Sequence, residues 1–192
     1  MPVNIDDPRV RRTRQLLMQS FTELLIERKN LHSISVQDIA AKATVNRTTF
    51  YAHFEDRYAF LESWMREKFQ KRLNEALPDS SISDMGSLRT LILAVFDFIS
   101  RIRQHMTPAD SQYERLFESA MQRELYQLLF KWLSEASSSP SKEIVEATAQ
   151  IISWGIFGSA LQWSRDSQDR TIEMIVRDVL VVVAAGLAPV ME

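Results

Sequence analysis

The 192-residue chain predicts an all-α fold of about nine helices, and three observations carry that class. With 4 Gly and 6 Pro, turn residues are too sparse for a sandwich or barrel, which needs them every ~8–12 positions. No stretch alternates apolar and polar residues as a strand does. Apolar residues instead recur three and four apart over long segments, the spacing of one helix face.

Asp7-Pro8 opens the first helix: a capping side chain precedes a Pro whose missing N–H costs nothing there. Its apolar face is Leu16, Leu17, Phe21, Leu24 and Leu25. Arg9, Arg11, Arg12 and Arg14 crowd its first turns against the helix dipole, a conflict that an external anion relieves and a solvated polar start also tolerates. Ser35-Val36-Gln37-Asp38 reads as a capping box on a short helix from Val36 to about Lys42. Asn46 caps the next, which carries Phe50 and Phe54 on one face. Asp56 caps a longer helix bearing Phe60, Leu61, Trp64, Met65, Phe69 and Leu73, ending near Leu77-Pro78. Pro78–Ser87 is a linker by composition. Leu88–His105 follows, then Thr107-Pro108, then a stretch from Tyr113 to Trp132 with a break expected near Glu118. Ser137–Ser141 is a second loop, and helices Lys142–Ser164 and Thr171–Leu187 complete the chain before Pro189. The expected organisation is a helix-turn-helix head over 1–55, a connecting helix over 56–77, and a helical ligand-binding and dimerisation domain over 78–192.

Several function classes drop out. Cys is absent and 3 His remain, none paired at ligand spacing, so no metal or other cofactor is expected. No nucleophilic triad, paired carboxylates or Gly-rich phosphate loop can be assembled, so no enzyme is expected. The N-terminus lacks the basic and apolar regions of a signal peptide. The longest apolar run, Val179–Val190, falls short of a ~18-residue span; a cytoplasmic protein without membrane contact is expected. Net charge is −2, yet residues 1–72 carry 13 Lys/Arg against 9 Asp/Glu while the remainder is acidic. A basic head on an acidic body suits a polyanion partner.

Ser35 to Phe54 reads as helix, tight turn, helix, with a short polar second helix. A major groove ~12 Å wide admits such a helix. Asn46, Arg47, Thr48, Thr49 and Tyr51, with His53 at the far end, can all donate hydrogen bonds and none is acidic. The same pattern also serves a capped, solvent-facing helix of a bundle.

The segment from Ser35 to Phe54, with its Thr49-Phe50-Tyr51-Ala52-His53-Phe54 string followed by Asp56-Arg57 and Leu61, closely resembles the DNA-binding head of the tetracycline-repressor (TetR) family. The likeness covers about Thr13 to Phe69. Trp154 to Trp163 is similar to the penultimate helix of many members. The resemblance implies a homodimeric regulator, a repressor, on a palindromic double-stranded DNA operator. It places Val45, Asn46, Arg47, Thr48 and Thr49 at base edges. Tyr51 would meet a phosphate with His53 nearby, Ser35 and Val36 would offer a helix N-terminus to another, and Arg57 would make a further phosphate contact. Two departures stand out: Thr44 holds the turn position usually given to Gly, where a β-branched residue is strained, and Thr48 replaces a small residue. A ligand-independent architectural DNA-binding protein is the alternative on the same fold.

Small residues about a turn apart in the penultimate helix and apolar residues nearly all round the last one need cover on two sides. The expected dimer interface is Gly155, Gly158, Ser159, Gln162, Val179, Val182, Val183 and Gly186. The density of aromatic and Met residues between 88 and 163 suggests a small apolar or aromatic effector, with Phe98, Ile102, Met106, Tyr113, Phe117, Met121, Trp154 and Phe157 as its expected lining.

Overall fold

The computed structural model describes residues 7–77, 82, 84–135, 141–166 and 169–191. The linker and loop expected at Pro78–Ser87 and Ser137–Ser141 fall largely outside the described residues. Among those described there are eight α-helices and one 3-10 turn, and no strand: α1 (Pro8–Arg28), α2 (Val36–Lys42), α3 (Arg47–His53), α4 (Arg57–Ala76), α5 (Met85–His105), the turn Pro108–Tyr113, α6 (Glu114–Glu135), α7 (Lys142–Arg165) and α8 (Ile172–Met191). The all-α expectation of about nine helices is met by these elements. Three boundaries differ from the sequence reading: α5 begins at Met85, inside the expected linker, and two more lie further on. α6 is continuous through Glu118, and α8 runs past Pro189. A proline in a last turn removes only one backbone bond of that turn, so the helix tolerates it.

The chain forms two compact units: Met1–Met65 with His105–Phe117, and Arg66–Gln104 with Glu118–Glu192. The first is built on caps and rings. Asp7 accepts the Arg9 N–H at 2.8 Å and Pro8 occupies the first turn of α1. Ser35 and Asp38 satisfy each other's backbone N–H groups at the start of α2, and Asn46 accepts the Thr48 N–H at 3.0 Å to start α3. Phe21, Phe50 and Phe60 are fully buried. Phe60 meets Phe21, Phe50 and Phe54 with centroids 4.9–5.3 Å apart, and Phe21 stands edge-on to Trp64 at 5.0 Å. Each such pair adds about 0.5–1.5 kcal/mol beyond its burial, so the rings that pin α3 to α1 and α4 make a stiff mount.

This unit also recruits residues distant in sequence. Asp110 is buried, its carboxylate accepting the His32 backbone N–H at 3.1 Å and the Thr107 N–H at 2.9 Å. Gln112 lies 3.0 Å from the His32 ring nitrogen. Tyr113 is buried near Tyr58, and Phe117 near Trp64.

The second unit packs the rest of α4 with α5, α6, α7 and α8. Leu91, Ile92, Val95, Phe96 and Ile99 line the buried side of α5, with Phe69, Leu125, Leu129, Ile156 and Phe157 among their companions in the core. α7 and α8 pack on one another, and Ile152 lies beside Gly186. By length and composition α7 could cross a membrane; here eight of its residues, Val145 to Ala160, are buried as in a core helix.

Candidate nucleic-acid interface

The turn between α2 and α3 decides what α3 presents. Thr44 takes φ 54°, the left-handed region that the usual Gly adopts freely. Its N–H bonds to the Ala41 carbonyl at 3.1 Å, and the Val45 N–H bonds to that of Ala40 at 3.0 Å. The turn therefore keeps its geometry despite a β-branched residue, at a cost of roughly 1–2 kcal/mol.

Beyond that turn α3 has two faces. Phe50 is fully buried, Val45 and Thr49 are half-buried, and Asn46, Arg47, Thr48 and Tyr51 are exposed. The outward groups are already ordered. Asn46 uses its amide oxygen to accept both the N–H and the hydroxyl of Thr48, at 3.0 and 3.1 Å, which leaves its amide nitrogen as the group to offer a base edge. Arg47 donates to the Tyr51 hydroxyl oxygen at 3.2 Å, its guanidinium carbon 5.5 Å from the ring centroid. A phenol that accepts a bond at its oxygen keeps its own O–H to donate, the role a phosphate needs.

Around this helix the other expected contacts vary. Ser35 is exposed, with its hydroxyl donating to Asp38 at 2.5 Å. The Val36 side chain is buried, so only its backbone N–H can serve an anion. Asp38 is held well below the usual carboxylate range, first by its bond to Arg28 and then by Ser35; that pairing moderates a negative charge beside the expected phosphate path. His53 is half-buried. Burial and then the charge of Arg14 push its pKa down, favouring the neutral ring. Arg14 itself lies over the Phe54 ring, 4.4 Å from its centroid.

Arg57 is placed otherwise than its expected role requires. Its Nη2 donates to the Leu31 carbonyl at 2.7 Å, its Nη1 donates to the Tyr113 hydroxyl, and its carbon lies 5.1 Å from the Tyr113 centroid. Its Nε is buried with no hydrogen-bond partner among the described residues. The guanidinium ties the start of α4 to the α1–α2 loop and to the 3-10 turn. Sequence reading had no view of this, because Tyr113 is 56 residues away and looks like one more core aromatic.

Residues 22–63 match the family model "Bacterial regulatory proteins, tetR family". Over those residues the chain is similar to the DNA-binding head of the tetR family of bacterial regulators. Among curated relatives, the HTH-type transcriptional repressor DhaR of Mycobacterium sp. (strain GP1) is 33% identical over 87 residues, covering 44% of this chain and 43% of that protein. The uncharacterized HTH-type transcriptional regulator YxbF of Bacillus subtilis (strain 168) is 21% identical over 187 residues, covering 80% and 49%. The match thus spans about half the length of these relatives. Of solved structures, Thermus thermophilus FadR, a TetR-family transcriptional repressor in complex with lauroyl-CoA, has a TM-score of 0.59 at 18% identity, covering 91% of this chain and 94% of that one. A TetR-family transcriptional regulator from Streptomyces coelicolor has 0.56 at 16%, covering 93% and 99%. All four are named as regulators; none is named as an enzyme.

The expected dimer residues divide. Val182 is 72% exposed, and Gly155, Gln162 and Gly186 are exposed too, while Gly158, Ser159 and Val179 are half-buried. Val183 turns into the core instead. Ile151 at 71% and Trp154 at 51% extend the exposed band. A Cβ built on Gly155 or Gly158 meets nothing within 4 Å, so the surface above both is open.

The expected ligand lining is also divided. Met106, Tyr113 and Phe117 belong to the first unit, while Phe98, Ile102, Met121, Trp154 and Phe157 belong to the second. Tyr113, Phe117, Met121 and Phe157 are buried in packing, and Trp154 is half-exposed. None of the eight lines either of two cavities in the second unit. One, about 260 Å³ and almost wholly apolar, lies among Ile82, Met85, Leu88, Trp132, Ala184 and Leu187. The other, about 250 Å³ and half polar, lies between Gln70, Leu73 and Asn74 of α4 and Glu124, Gln127, Leu128 and Lys131 of α6. Sequence reading missed this polar groove, because α6 also carries Glu118, Ser119, Gln122, Arg123 and Ser134, and positions 124, 127 and 131 do not stand out among them.

Proposed function

We propose that the chain is a cytoplasmic transcription regulator, a repressor, that binds a palindromic or near-palindromic DNA duplex as a homodimer and releases it in response to a small molecule. The observation that carries the DNA reading is the division of α3. A fully buried Phe50 anchors the helix while Asn46, Arg47, Thr48 and Tyr51 face outward with defined hydrogen-bond states. Such a mount presents α3 to a major groove at little ordering cost. Arg47, Asn46, Thr48 and the half-buried Val45 and Thr49 read bases. Tyr51, His53 and the Ser35–Val36 backbone meet phosphates.

Two copies pair through the exposed band of α7 and α8, whose glycines permit close approach and whose apolar side chains otherwise face water. A C2 pair of this kind sets two copies of α3 at a fixed separation, which fixes half-site spacing. An effector in the helical bundle changes operator affinity only if it binds the two states unequally. The regulator names of the relatives support this reading.

Selection from random duplexes tests it. A recovered two-fold-symmetric site, altered in its preferred bases by Arg47→Ala and weakened with Tyr51→Phe, is the expected result; enrichment of no symmetric site refutes the operator reading.

A further inference from the structure

The groove between α4 and α6 holds a carboxylate that the fold leaves incompletely answered. Glu124 is 8% exposed, and its charge partner is the Arg66 Nε at 3.7 Å, an ion-pair distance too long for a hydrogen bond. Burying a carboxylate costs several kcal/mol in real proteins unless close hydrogen bonds repay it. The penalty is visible in its titration: burial pushes the Glu124 carboxyl above its usual range, and the charges of Arg66 and then Arg123 only partly oppose this. Arginine–carboxylate pairs that hold helices together are frequently close and two-pronged; the Arg66–Glu124 pair is neither. Here the space beside it is a 250 Å³ groove.

The walls suit one chemistry. Gln70 and Asn74 share a face of α4, four residues apart, and Gln127 stands one turn from Glu124 on α6. Their amide oxygens accept hydrogen bonds, as the carboxylate does. Leu73 and Leu128 supply an aliphatic floor. Lys131 is exposed and seven residues beyond Glu124, about 10 Å along the helix, where water screens it. The volume is below the roughly 300–1,000 Å³ of drug-sized sites.

We propose that this groove is the effector site of the regulator and takes a compact organic cation, its nitrogen on Glu124 and the flanking amides and its carbon chain along Leu73 and Leu128. This deepens the regulator reading above and rests on it for the word effector, but not for the binding. It also departs from the apolar effector suggested by the sequence, since the aromatic and Met residues behind that expectation go largely into core packing.

The test uses the full-length protein and two probes of equal chain length and opposite charge, n-butylammonium and butyrate. The side-chain amide resonances of Gln70, Asn74 and Gln127 report occupancy. Butylammonium is expected to shift them saturably and butyrate to leave them in place. Glu124→Gln, a substitution of equal size that removes the charge, should weaken butylammonium about tenfold, the loss of one charge-assisted bond. Asn74→Trp, at an exposed rim position, should abolish the butylammonium shifts of Gln70 and Gln127 while circular dichroism stays as in wild type. No shift with butylammonium, equal shifts with butyrate, or undiminished binding to Glu124→Gln overturns the site. Binding that leaves operator affinity unchanged overturns the effector role alone. Failure of the random-duplex selection with butylammonium binding intact overturns the regulator reading and spares the site.

Discussion

Removing the Arg57 guanidinium separates two roles that a DNA-binding assay alone confuses. Arg57→Met keeps the aliphatic stem and deletes the charged fork. The charge-assisted bond to the Leu31 carbonyl, at 2.7 Å, contributes about 1.5–3 kcal/mol. The stack on Tyr113, 5.1 Å from the centroid, adds about 0.5–1 kcal/mol. Against these stand the unpartnered buried Nε and the desolvation of the guanidinium, which the substitution relieves. The balance is a loss of about 1–2 kcal/mol, because the Leu31 carbonyl keeps the Ile34 N–H at 3.3 Å and no charge remains to be hydrated. For a chain of this size that lowers the melting temperature by about 2–4 °C per kcal/mol. Urea unfolding at fixed protein concentration reads the stability, and operator affinity across a salt series reads the phosphate contacts. With Arg57 turned inward, the salt slope stays at its wild-type value. An unchanged urea midpoint with a slope shallower by about 1 per half-site would refute the structural role and restore a phosphate contact.

Thr44→Gly should raise stability by about 0.5–1 kcal/mol: relief of a left-handed β-branched residue exceeds the added freedom of glycine in the unfolded chain, and urea midpoints check it. Tyr51→Phe should weaken all operator variants by a similar factor, whereas Arg47→Ala should alter which bases are preferred, at about 1–3 kcal/mol if the contact is bidentate; competition among single-base operator variants distinguishes them. Gly158→Arg or Val182→Arg should give monomers or aggregates by sedimentation, because a charge would enter an apolar contact. Asp38 is depressed in the folded state, so its stabilisation is present above its unfolded pKa near 3.8 and is lost as pH falls below that value. Wild-type urea midpoints should therefore drop more steeply than those of Asp38→Asn between pH 4 and the acid limit near pH ~2.

The head was legible because its signals are local. Ser35, Asp38 and Asn46 announce helix starts within three residues, and Phe50 with Phe54 marks a face by spacing alone. The inward turn of Arg57 was not, since its partners Leu31 and Tyr113 lie 26 and 56 residues away. The same limit applies to Glu124: its burial depends on how α4 and α6 meet, and no periodicity within α6 reveals a gap opposite it. Val183 and Val182 look alike in sequence, yet neighbours on a helix point about 100° apart, and only the packed structure shows that Val183 faces the core while Val182 is exposed.

Asp110 carries a lesson for anyone who would transplant this head. Its carboxylate caps its own turn and holds the His32 backbone across 78 residues of sequence, and Tyr113 does the same for Arg57. A cassette cut at residue 55 or 77 would take α3 and leave behind part of the framework that steadies it. Grafted onto a foreign body, the fragment cut at 77 would leave the His32 N–H without Asp110, Arg57 without Tyr113 and Trp64 without Phe117, and would melt earlier than the intact chain. A workable chimera has to carry residues 105–117 as a second, discontinuous insert. Synthesis imposes the same order: α1, α2 and α3 are complete within the first 65 residues, but the last buried contacts of this unit wait for the chain to reach Phe117.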